Sequence, residues 1–124
     1  MSTLSSLLTH KEAIAVEAAL LTSQDKFLVR VALYALRSLK QIAQRQGVAI
    51  SVVTTSQIEA WMAEDTKLQS MDASFQTFFT RLVLAAQQPL TQVAIAAQVP
   101  EETLTPGQVI AWFEQEAKNR EAGS

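Results

Sequence analysis

The chain has no cysteine, which excludes disulfides, thiolate metal ligands and thiol catalysis. It fits a reducing compartment, and the expected location is the cytoplasm. Glycine and proline occur three times each, too few for the turns of a sheet protein. The single histidine, His10, has no second imidazole to work with. Phosphate-binding glycine loops, G-x-S-x-G and HExxH are all missing. The adjacent acids Glu64-Asp65 and Glu101-Glu102 point apart on a helix and make no dyad. Nothing here calls for an enzyme, a cofactor or a metal. The formal charge of −2 gives no overall basic footprint for nucleic acid. The first residues lack the basic start of a signal peptide. The longest uncharged run, Leu82 to Pro100, contains four glutamines, Thr91 and Pro89, which a membrane span would have to bury.

What is present is oil and a repeat. Of the 124 residues, 48% are apolar and 18% charged, enough to bury a core. Thr54 to Lys67 reads TTSQIEAWMAEDTK, and Thr105 to Lys118 reads TPGQVIAWFEQEAK. The offset is 51 residues and extends upstream without a gap, so that Ser23–Lys67 lies over Ser74–Lys118 with 14 of 45 positions identical. An internal duplication is expected. Two units of this length more readily close on each other than stack as an array. The expected fold is all-α: a compact bundle of five to six helices with a pseudo-twofold axis. The division is an N-terminal helix (1–22), a first repeat (23–73) and a second (74–124), the whole forming one compact domain.

Local signals place the helices. Thr9 and Glu12 form a capping box for the first, on which Ile14, Ala15, Ala18 and Leu21 lie on one side. Ser23 caps a second helix that is apolar on nearly every side and ends at Gly47. Val48–Val53 is β-branched but reads as a connector, because its counterpart is VPEETL. A third helix runs from Thr54–Ser56 to about Lys67, boxed by Thr54/Gln57 or Ser56/Glu59. A fourth begins near Asp72 or Ser74, and Pro89 should break or kink it before a short helix from Leu90 to Gln98. Thr105, Pro106 and Gln108 start the last helix, and the tail from Asn119 should fray. The expected structural anchors are the matched residues Phe27/Phe78, Trp61/Trp112 and Arg30/Arg81, the arginines taking Asp65 and Glu116 as acceptors.

Two features bear on function. In QIAQRQGVAISVV (Gln41–Val53), Ala43, Gly47 and Val53 sit at the spacing of a helix-turn-helix, which the segment resembles. The resemblance implies a base-reading helix over Ala49–Glu59, yet that stretch has no lysine or arginine. The second copy puts Glu101, Glu102 and Pro106-Gly107 there, which repel phosphates and break the helix. Separately, Lys26, Arg30, Arg37 and Lys40 fall within about 80° on a helical wheel. This cationic stripe is a solvated face, or pairs with the chain's own acids, such as Glu64, Asp65, Glu114 and Glu116, or meets an acidic partner. The function read from these residues is a non-enzymatic protein–protein interaction module: an adaptor, assembly factor or regulatory subunit, able to form a homodimer. The alternative is a helix-turn-helix-like nucleic-acid regulator using the same stripe.

Overall fold

In a computed structural model, which describes residues 8–64 and 73–122, every regular element is helical. The elements are α1 (His10–Ala18), α2 (Ser23–Gln46), a 3-10 turn (Ile50–Val52), α3 (Thr55–Glu64), α4 (Ala73–Ala97), a second 3-10 turn (Glu101–Thr103) and α5 (Pro106–Ala122). The Val48–Val53 connector forms the first of those turns, and the described residues contain no strand.

The ends of these helices follow from short-range chemistry. The Thr9 hydroxyl accepts from the Glu12 amide at 3.1 Å, and the Glu12 carboxylate accepts from the Thr9 amide at 2.9 Å. The cap of α2 is Thr22 rather than Ser23: its hydroxyl accepts from the Asp25 amide at 3.2 Å. Gly47 ends α2 in the left-handed conformation at φ 67.

The same bonds recur 51 residues later. Val48 N–H donates to the Ala43 carbonyl at 3.0 Å, and Val99 N–H to Ala94 at 3.1 Å. Val53 N–H donates to Ile50 at 3.2 Å, and Leu104 N–H to Glu101 at 3.1 Å. The box of Thr54 with Gln57 (2.8 and 3.3 Å) is repeated by Thr105 with Gln108 (3.0 and 3.3 Å). The long helices α2 and α4 pack most extensively on each other. Each reaches across to the other unit's turn. Gln87 of α4 donates to the Ile50 and Val53 carbonyls at 3.4 and 3.2 Å, and Lys40 Nζ of α2 donates to the Leu104 carbonyl.

One position differs in kind. Where the first unit has Gly47, the second has Gln98 at φ 59, a conformation that costs a side-chain-bearing residue energy. Gln98→Gly should therefore raise stability by about 1 kcal/mol, and Gly47→Ala should lower it by about as much. Nothing lies within 4 Å of a Cβ built on Gly47, so its cost is conformational. Chemical denaturation measures both changes, and equal stabilities would refute the assignment.

The core is one cluster running through both units. Val29, Leu33, Ala35 and Leu39 of α2 are almost wholly buried, as a helix apolar on nearly every side should be. On α4 the buried stripe is Phe79, Val83, Ala86, Leu90, Val93 and Ala94, at alternating helical spacing. Phe79 is 2% exposed and meets Tyr34 edge-on at 5.2 Å. Tyr34 in turn meets Trp61 at 6.2 Å.

Three expectations are corrected here, on the phenylalanines, on Pro89 and on the C-terminal tail. Phe27 and Phe78 are 41% and 51% exposed and do not anchor the core. Phe78 is rotated about 100° off the buried stripe that its neighbour Phe79 occupies. Pro89 does not end its helix: α4 continues to Ala97. The buried residues on either side of Pro89 hold the backbone helical despite the hydrogen bond that the ring removes. On α1 the buried residue is Val16, followed by Ala19, while Ile14 is 56% exposed and Ala15 and Ala18 face outward. The helix is turned by its acids, which pair with α2. Finally, α5 stays helical past Asn119 to Ala122, and Arg120 binds Asp25 at 2.8 Å. The expected continuation of α3 to Lys67 and the Asp72 start of α4 lie outside the described residues.

Candidate partner-binding surface

The cationic stripe faces inward onto the chain's own oxygens. Lys26 Nζ donates to the Glu17 carbonyl at 2.9 Å and lies 4.0 Å from its carboxylate. Arg30 pairs with the same carboxylate. Arg37 Nη1 donates to Glu12 Oε1 at 2.9 Å, and Lys40 donates to the Leu104 carbonyl. Glu12 thus caps α1 and ties it to α2 with one oxygen. This corrects the reading of the stripe as a surface for an acidic partner: all four cations already have acceptors. The acids that satisfy them are Glu12 and Glu17, not those near the tryptophans. Glu64 instead pairs with Arg45 at 2.6 Å, and Glu114 accepts from the Leu20 amide at 2.9 Å.

The arginine pair also separates. Arg30 is largely covered and ion-paired, whereas Arg81 is exposed on α4. Glu17 takes the role expected of Asp65, which lies outside the described residues. The two arginines therefore do not share one structural task.

The helix-turn-helix resemblance is corrected in its register. After Gly47 the chain makes a 3-10 turn, and the following helix covers Thr55–Glu64 rather than Ala49–Glu59. Thr54, through its box with Gln57, sets that start. The solvent side of α3 carries Glu59 and Glu64 and no cation. A helix of that charge is repelled by phosphates.

A groove of about 260 Å³ lies between the end of α2 and α3. Ile42 and Trp61 form its apolar part, Ala60 leaves it room, and Gln46, Ser56 and Gln57 supply polar edges. The Arg45–Glu64 pair spans its rim, with both side chains mostly exposed. Both tryptophans are half-buried and rest against the core. Trp61 meets Tyr34, and Trp112 meets Phe113 edge-on at 5.1 Å. So Trp61 closes the core on one side and lines a groove on the other. Sequence reasoning did not place this groove. Its signal was present as the spacings 42/45/46 and 57/60/61/64, each one helical face.

Among the described residues, no group of three or more histidines and acids could hold a metal ion. No described helix is long and apolar enough to cross a membrane.

The described residues thus form an all-helical fold with a side-chain-sized groove at its surface. The family described as NDH complex assembly factor CRR9 matches residues 8–120, and the chain belongs to it. The family is one of assembly factors, so the chain is not an enzyme and its partners are proteins. Comparisons with curated proteins and with solved structures find no match.

Proposed function

We propose that this chain promotes assembly of the NDH complex by holding one of its proteins, or an assembly intermediate, in the groove between α2 and α3. The observation that carries the reading is the family match over nearly the whole chain. The groove supports the choice of surface. It joins a half-buried tryptophan to polar edges, the composition typical of a partner-binding pocket. We place the protein in the cytoplasm, and we read the two units as an internal duplication. The recurrence of cap, turn and box bonds at a constant 51-residue spacing supports that second reading.

Deleting the gene in the native host should lower the amount of assembled NDH complex severalfold, measured on native gels. Reintroducing the wild-type chain should restore it, and a tagged chain should co-purify with proteins of the complex. Ala60→Arg fills the groove from an exposed position without touching the core. That variant should fold normally and fail to restore assembly. Full restoration by Ala60→Arg would remove the groove from the mechanism, and normal assembly in the deletion strain would remove the role.

A further inference from the structure

The two units have the same backbone plan but unequal local support. At three positions 51 residues apart, the second unit holds a residue that strains its helix, turn or core, and at two of them the first unit holds one that fits. Ser38 of α2, which keeps its backbone donor although its own hydroxyl is buried without a partner, corresponds to Pro89, which leaves a gap in the hydrogen-bond ladder of α4. Gly47 corresponds to Gln98, held left-handed at φ 59. Ile50, fully buried, corresponds to Glu101. One Glu101 oxygen accepts from the Thr91 hydroxyl at 2.9 Å, and the other is buried without a partner. A buried, unmatched carboxylate oxygen loses water and gains nothing in return. The three departures fall within 13 residues of chain, at the junction of α4, the second 3-10 turn and α5.

We infer that this junction is a built-in hinge, and that the second turn with the start of α5 opens while the first turn and α3 stay closed. Opening uncovers Leu104 and Val109, both fully buried in the closed state, and Ile110 beside them. It also releases the Lys40 ammonium from the Leu104 carbonyl. The far end of α5 remains tied to α2 through Arg120 and Asp25. Strain collected at one junction lowers the cost of local opening there without lowering it elsewhere. The inference does not depend on the groove or on the identity of the partner.

Native-state hydrogen exchange tests it with an internal control, because the reporting amides come in matched pairs. Val52, Val53 and Ile58 donate over 3.1, 3.2 and 3.1 Å; their counterparts Thr103, Leu104 and Val109 donate over 3.0, 3.1 and 3.2 Å. The bonds are alike, so a difference in protection reports opening and not bond geometry. Protection factors in the second set should be lower by about tenfold or more. The triple variant Pro89→Ala, Gln98→Gly, Glu101→Ile removes all three departures and should fold at least as well. It should raise protection of Thr103, Leu104 and Val109 by a similar factor and leave Val52, Val53 and Ile58 unchanged. Equal protection in the two sets of the wild-type chain would overturn the hinge. A triple variant that raises both sets alike, or neither, would overturn it as well.

Discussion

Phe79→Ala should lower the free energy of unfolding by about 3 to 5 kcal/mol, while Phe78→Ala should lower it by about 1 to 2 kcal/mol. The two residues are adjacent, identical and equally apolar, so composition predicts no difference between them. The structure does. Phe79 is at the centre of the α2–α4 contact, edge-on to Tyr34, which itself meets Trp61. Truncation there removes the largest fully buried side chain among the described residues and leaves a void that the close-packed neighbours cannot fill. A loss of that size is a large part of the 5–15 kcal/mol typical of a whole domain. Phe78 has half its surface in solvent and gives up less when shortened. Urea titrations of both variants decide the matter. Comparable losses at the two positions would show that the packing register of α4 is wrong.

Pro89→Ala should stabilise the protein by about 1 to 3 kcal/mol, because it restores a backbone donor inside an unbroken helix. The donor's acceptor would be the Ala85 carbonyl, four residues earlier, within the Ala73–Ala97 span. The melting temperature should rise by about 4 °C or more per kcal/mol for a chain of this size. An unchanged or lower melting temperature would mean that α4 is shaped around the proline ring and that the ring is part of the packing. The prediction bears on the hinge as well: this residue is one of the three that set the second unit apart from the first.

Much of the architecture was readable in the sequence because it depends on neighbours within four residues. The boxes of Thr9/Glu12, Thr54/Gln57 and Thr105/Gln108 formed as their spacing requires. Gly47 stopped its helix because a left-handed residue ends the ladder wherever the fold places it. The stripe of four cations was legible as a stripe but not in its direction. Its acceptors on α1 lie 9 to 25 residues away in the chain. A helical wheel shows which residues share a face but not what covers that face. The same limit explains why the matched Phe27 and Phe78 are read as anchors while Phe79 is the buried one. Pro89 misled for a related reason: its local cost is real, but packing along α4 exceeds it. The groove at Trp61 was missed because it belongs to two helices at once.

The sequence by itself determined that this protein is helical and where most of its helices start and stop. These are short-range matters of capping, propensity and residue type. Only the tertiary structure decided which aromatic is core, which cations are spent internally, and where a groove lies. Those outcomes depend on burial and pairing between helices, and the energy of a side chain changes sign with what stands opposite it.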